Sequence, residues 1–359
     1  MKEKRFKTMK KKLLVMMIIA IMLLMAACGA KDATPSGGGS TPSGGSESST
    51  GESVDLQIGQ VITAAHGDKC FTQVTAVVQG DTVVAAFIDE YQFADGTQVE
   101  GVPNSDAADG FAAGYAEGQV LLSKRAEADY YSELMSSHGG ATVRIDDNYD
   151  AIQEFAAGKT IAELADFKGK AEAVDAVASA TLADTGNYLA AIAEAAEVAK
   201  GTEAVAYEGD VSALKLNVEV GAAHGNKCFS TAAALTDGTT IVLSWLDEFQ
   251  FADGTQVEGV PNSDATEGFA AGYAEGQVLL SKRMEAEYYS ANMAEKAGST
   301  VAIDENYNAI QAAVNGLSID DAQAIADKGE GAVDAVSGAT LADTAGYISL
   351  IIDAAKNAK

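Results

Sequence analysis

Four prolines, three cysteines, three histidines and one tryptophan in 359 residues are a thin supply of the residue types on which several common chemistries rest. Cys28, Cys70 and Cys228 form no CxxC or CxxCH run and have no histidine cluster beside them, which removes support for haem attachment, iron–sulfur ligation and zinc. No metal-ligand set is read from the chain. A GxxxxGK(S/T) loop is also missing, and with it the usual phosphate cradle of nucleotide hydrolases. Basic residues number 24 against 52 acids, giving a formal charge of −28. Such a field disfavours nucleic acid and anionic lipid surfaces and leaves cations and small soluble partners unhindered.

The one place where positive charge gathers is the start. MKEKRFKTMKKK precedes LLVMMIIAIMLLMAA, an uncharged apolar run bounded by small residues, and together they read as a secretory leader over residues 1–27. Met25-Ala26-Ala27-Cys28 resembles a lipobox, in which the Cys28 thiol takes a diacylglycerol and becomes the first residue of the mature chain. The expected location is therefore the extracellular face of the cell membrane, held by a lipid anchor. Residues 28–54 are Gly/Ser-rich and contain two of the four prolines, a flexible tether with a reach of about 25–30 Å.

Beyond the tether the chain repeats itself. Ala64-Ala65-His66-Gly67 returns as Ala222-Ala223-His224-Gly225, FADGTQVEGVPNSDA occurs at 93–107 and 251–265, and GFAAGYAEGQVLLSKR occurs at 110–125 and 268–283. A period this long means tandem domains and not a solenoid. The expected domains are 55–200 and 213–359, with the boundary in 201–213. Each reads as α+β: β-branched runs flank Gly80-Asp81 and Asp237-Gly238 as hairpins, the stretch from Gly110 through VLLSKRAEADYYSELM turns to helical spacing, and Tyr347, Ile348, Ile351, Ile352 and Ala355 share one face of a closing helix. Strands followed by helices predict an antiparallel sheet with helices packed on it.

Just before each closing helix stands an unusual phrase: Asp334-Ala335-Val336-Ser337-Gly338-Ala339-Thr340 in the second copy, and Asp175-Ala176-Val177-Ala178-Ser179-Ala180-Thr181 in the first. Taken alone, Thr340 with Asp343 reads first as an ordinary helix N-cap followed by a first-turn acid, and second as a hydroxyl placed where free backbone amides favour an anion.

Asp-x-x-Ser-Gly-Ala-Thr ahead of a C-terminal helix resembles the flavinylation motif of the FMN-binding domains found in respiratory complexes and in exported flavin lipoproteins of extracellular electron transfer. The resemblance covers essentially everything after residue 28. It implies two tandem FMN-binding domains, with FMN joined through its phosphate to Thr340 and, in the first domain, to Thr181, so one or two covalent FMN per chain. It also implies an FMN transferase of the ApbE type as a partner. Membrane NADH dehydrogenase and quinone components would supply electrons, and soluble acceptors such as ferric iron would receive them. The protein would be a redox carrier and not a classical enzyme. The first copy departs from the motif, with Ala178 for Ser and Ser179 for Gly, and Ser179 fits only if the turn tolerates a Cβ.

Other residues are candidates for contact with a flavin. His66 and His224 stand just before the first strand-like run of each copy, Asn104 and Asn262 offer amides from the GVPNSD loop, and Lys124 and Lys282 offer charge for a phosphate or a reduced ring. Each has a plainer alternative: a turn histidine, a loop kept identical by recent duplication, and a solvated helix face paired to Glu. Cys70 and Cys228, one per copy, are expected to be small buried thiols. A ligand-binding lipoprotein without a redox cofactor is the competing functional class, and an adhesive repeat protein a third.

Overall fold

The computed structural model describes residues 53–359; the leader, Cys28 and nearly all of the tether lie outside the described residues. Thr50–Lys359 belongs to one compact unit, so the two copies are packed against each other. The architecture is α+β with two antiparallel sheets. In the first copy the strands are β1 (Val54–Thr63), β2 (Cys70–Gln79), β3 (Thr82–Asp95) and β4 (Gln119–Ser123), followed by helices α1 (Ala128–Gly139), α2 (Ile145–Ala156), α3 (Ile161–Ala165), α4 (Ala173–Ala176) and α5 (Thr185–Ala199). In the second they are β6 (Lys215–Gly221), β7 (Cys228–Thr236), β8 (Ile241–Asp253) and β9 (Gln277–Ser281), then α6 (Ala286–Ala297), α7 (Ile303–Val314), α8 (Ile319–Ala326), α9 (Ala332–Ala335) and α10 (Thr344–Asn357).

The expected hairpins are present, β2 turning into β3 at Gly80-Asp81 and β7 into β8 around Asp237-Gly238. Three sequence expectations need correction. Val120–Ser123 and its counterpart are strands and not helix: they pair with β3 and β8, with Phe93 opposite Leu121 and Phe251 opposite Leu279. Their Val-Leu-Leu run satisfies either periodicity; short 3-10 turns occur at Phe111–Gly114 and Phe269–Gly272, and α-helix begins only at Ala128 and Ala286. His66 and His224 follow a first strand, β1 or β6, and do not precede one. The segment between the copies is not a bare linker, because β5 (Val205–Tyr207) pairs with Val54–Leu56 and extends the first sheet to the order β4-β3-β2-β1-β5.

Each sheet is covered by its own helices on one face and by the other copy on the other. That explains why β7 is buried along its whole length and β2 along all but its last residue, where a half-exposed sheet would alternate. The helix-side cores are equivalent: Val74, Ile88, Tyr149, Ile152, Leu189 and Ile192 in the first copy, and Leu246, Tyr307, Ile310, Ile348 and Ile351 in the second. The face of α10 read from the sequence is the buried one.

Between the copies lies an aromatic cluster. Phe229 and Phe249 stack at 4.8 Å, Phe71 and Tyr91 at 4.9 Å, and Phe71 meets Phe249 at 5.5 Å. The contacts are reciprocal, as a pseudo-twofold relation requires. Phe111 N donates to Asn226 O while Phe269 N donates to Asp68 O, and Ala116 N donates to Gly272 O while Ala274 N donates to Gly114 O. Gly114 and Gly272 each pack beneath a phenylalanine of the opposite copy, where an added Cβ would fall 2.1 Å from Phe251 and 2.0 Å from Phe93. Gly272→Ala should therefore lower stability by about 1–3 kcal/mol in urea unfolding. Gly139→Ala, at a position where an added Cβ meets nothing within 4 Å, should be close to neutral; equal effects of the two changes would refute this packing.

Candidate functional site

The loop carrying the Asp-x-x-Ser-Gly-Ala-Thr phrase is held by one buried amide. Asn306, on the first turn of α7, accepts hydrogen bonds at Oδ1 from Thr340 N (2.6 Å) and Thr340 Oγ1 (3.1 Å). Asn148 does the same for Thr181, at 2.7 and 3.2 Å. The reading of Thr340 as an N-cap is overturned. α10 begins at Thr344 with Asp343 at its N-cap position, and the Thr340 amide and hydroxyl both donate to Asn306, with the exposed residue at the edge of a cavity. Asp334, Ser337 and Gly338 are exposed and Ala339 packs against the helix-side core; Asp175, Ser179 and Ala180 are placed alike. Gly338 has φ 92° and Ser179 φ 70°, so the first copy puts a Cβ in left-handed backbone at a cost of about 1 kcal/mol.

The cavity beside Thr340 measures about 450 Å³, within the range of small-molecule and cofactor sites. Thr340, His224, Lys282, Tyr289, Met293 and Tyr347 line it. Three residues picked from the sequence, Thr340, His224 and Lys282, are thus brought together from positions up to 116 residues apart. His224 Nδ1 bonds Asp343 Oδ2 at 2.5 Å, and His66 bonds Asp184 at 2.7 Å, tying the β6–β7 and β1–β2 turns to the closing helices.

Lys282 is not on a solvated helix face. It follows β9, is 1 % exposed, and holds Glu248 Oε2 at 2.7 Å; Lys124 and Glu90 form the same pair at 2.7 Å. Tyr307 OH and Tyr347 OH also donate to Glu248 Oε2, each at 2.8 Å, while Ser230 Oγ donates to Oε1 at 2.7 Å. Burial opposes ionisation of Glu248, but the Lys282 ammonium and these donors outweigh it and hold the carboxyl below its ordinary range. Lys282 is desolvated too, yet Glu248 raises it, so the ammonium stays charged. Its Nζ also lies 4.5 Å from the ring centre of Tyr289. Cys70 and Cys228 are buried and free, and burial with the nearby glutamate pushes the Cys70 thiol up to about 12.

Asn104 and Asn262 do not face their own copy's cavity. Asn104 Nδ2 donates to Gly225 O at 3.0 Å and Cys228 O at 2.7 Å, and Asn262 Nδ2 to Gly67 O and Cys70 O at the same distances. Each copy's GVPNSD loop therefore braces the histidine turn of the other. Among the described residues no group of three or more His, Cys, Asp or Glu is arranged to hold a metal ion. Comparison with protein-family models, curated proteins and solved structures finds no match to this chain.

Asn306, Glu248 and Tyr307 escaped the sequence reading, which had Tyr347 only as part of a helix face and not as a partner of Glu248. A signal existed: Asp89-Glu90 and Asp247-Glu248 are acid pairs inside otherwise apolar strands, where unpaired charge is costly. The aspartates behave differently from the glutamates. Asp89 and Asp247 are buried without a salt bridge, and burial outweighs the hydroxyl of Ser123 or Ser281 and the neighbouring amides, so both carboxyls rise to about 6.

Two tests follow from this geometry. Glu248→Gln leaves Lys282 buried without a counter-charge and should cost about 3–5 kcal/mol in denaturant unfolding; a loss under about 1 kcal/mol would contradict the assigned network. The raised Asp89 and Asp247 values lie above the ordinary 3.8, so their contribution to stability is full below that pH and is lost as pH rises through 6. Glu90 and Glu248 act oppositely, their contribution being lost on acidification through their lowered values. Stability should peak on the acid side of neutrality, and Asp247→Asn should reduce the gain between pH 7 and 5 by about 1 kcal/mol. Thermal unfolding at the two pH values measures it, and an unchanged gain would overturn the assignment.

Proposed function

We propose that this protein is a lipid-anchored extracellular electron carrier with FMN esterified through its phosphate to Thr340 and Thr181, and that it is a redox carrier without a catalytic triad or metal of its own. The observation that carries the reading is the convergence of Thr340, His224 and Lys282 on one cavity of about 450 Å³. The residues present suit FMN in kind: an exposed hydroxyl for the ester, a fixed ammonium for a phosphate or a reduced ring, and Tyr289, Met293 and Tyr347 as apolar and aromatic wall. Bound there, FMN would supply reversible one- and two-electron chemistry.

The chain's own part in this function is positional. Asn306 pins the Thr340 backbone and hydroxyl, and the Tyr307–Glu248–Tyr347 network fixes α7 and α10 on either side of that loop. Lys282 reaches the cavity wall already paired with Glu248 at 2.7 Å, so it would meet a bound cofactor as a donor of a neutral ion pair and not as a free charge. In this reading Cys28 carries the lipid, an FMN transferase of the ApbE type makes the ester, a membrane NADH dehydrogenase and quinone pool supply electrons, and soluble acceptors such as ferric iron receive them.

The mature chain made together with such a transferase should gain the mass of FMN and absorb in the visible, with flavin peptides containing Thr340 and Thr181. Thr340→Ala should remove one FMN. Ser179→Gly should raise occupancy at Thr181 and stabilise the first copy by about 1 kcal/mol. No added mass in the presence of an active transferase would leave a ligand-binding lipoprotein without a redox cofactor as the better account.

A further inference from the structure

The two copies differ around one guanidinium, and the differences are concerted. In the first copy Arg125 Nη1 is 2.9 Å from Asp150 Oδ1, its guanidinium lies 4.6 Å from the Phe87 ring centre, and Glu154 follows on α2 with Ala157 just past its end. In the second copy the matching residues are Arg283, Asn308, Trp245, Ala312 and Asn315. Two acids have gone, and an indole and two amides have come. Asn308 Oδ1 receives Arg283 Nη1 at 3.1 Å where Asp150 supplies a carboxylate to Arg125, so Arg283 has no salt bridge among the described residues. Asn315 is oriented by Ser244, which donates to its Oδ1 at 2.7 Å, whereas the first copy has Ala86 and Ala157 at these places.

These residues border a cleft of about 410 Å³. Gln311 turns its oxygen to Arg283 and to Leu246 N, as Asn308 and Asn315 turn theirs to Arg283 and Ser244, so all three amides keep their NH2 groups without a protein acceptor. Trp245 adds the decisive observation. It is 9 % exposed, lies 4.3 Å under the Arg283 guanidinium, and its Nε1 is the one buried side-chain polar atom among the described residues without a hydrogen-bond partner. A buried donor left unmade costs about 1–3 kcal/mol, and the first copy avoids this with Phe87. Ile58, Val205 and Leu243 give the remaining wall its apolar part, beside Thr202 and the exposed Glu203.

We propose that this cleft of the second copy is a binding site for a small organic carboxylate with an apolar body, its carboxylate directed to Arg283 and the free NH2 group of Asn308 and its body against the Trp245 ring. An excess of donors around an unpaired guanidinium selects an anionic acceptor, which a carboxylate supplies in planar form. The apolar wall excludes ions that have no hydrocarbon part to bury. Asp150 fills the same role within the first copy, which is the reason that copy needs no ligand there. The site is separate from the Thr340 cavity and does not depend on the flavin reading.

Trp245 is the only tryptophan in the chain, so the mature protein gives a single indole N–H signal in a ¹H–¹⁵N spectrum. Titration with benzoate should move that signal saturably, while benzamide, the same shape without the charge, should bind weaker by about tenfold or more. Asn308→Asp rebuilds the Arg125–Asp150 pair in the second copy and should weaken benzoate to the same degree without loss of thermal stability. No saturable shift, equal binding of benzamide, or undiminished binding by Asn308→Asp would each overturn the proposal.

Discussion

One of the two buried carboxyl groups in each copy, the glutamate, organises what surrounds it. Glu248 sits on β8 and takes hydrogen bonds from β7 through Ser230, from the residue after β9 through Lys282, from α7 through Tyr307 and from α10 through Tyr347. Five elements distant in sequence are thereby tied to one side chain. A buried ion pair adds little net stability compared with apolar packing, because desolvation consumes most of the Coulombic gain. What it does supply is uniqueness, since any other arrangement of these elements leaves a charge or a phenol unpaired.

The position of Thr340 is a consequence of that network. Tyr307 and Asn306 are neighbours on α7, so the helix turn that reaches inward to the carboxylate also reaches outward to the threonine. From the other side Tyr347 fixes α10, and Asp343 at its start holds His224. The loop needs no rigidity of its own, which is consistent with its exposed Asp334, Ser337 and Gly338.

The parts of this arrangement that could be read from sequence are those encoded locally. The buried face of α10 follows from the spacing of Tyr347, Ile348, Ile351 and Ile352, and the hairpins follow from Gly80 and Gly238 between β-branched runs. The surroundings of Lys124 and Asn104 could not be read from sequence for the opposite reason. The partner of Lys124 is 34 residues away on a neighbouring strand, and the carbonyl oxygens held by Asn104 belong to the other copy. β1 was missed because its polar start runs on from the tether, and the pairing that makes Val54–Leu56 a strand comes partly from β5. Identity between the repeats also carried information that duplication alone would not explain. Phe93, Asn104, Phe111 and Gly114 and their counterparts lie at the pseudo-twofold interface, where one residue type must satisfy both halves.

That self-complementary interface makes each half, in valency, a ready partner for any other half. The short segment between α5 and β6 decides which one it meets. Tethering at this length supplies an effective concentration of about millimolar, so ring closure within one chain outcompetes joining between chains. A segment too short to let the halves face each other would send the same surfaces into exchange between molecules, head of one to tail of the next. The choice between closure and exchange thus falls to about fifteen residues that also give β5 to the first sheet and Leu214 to the core between the copies.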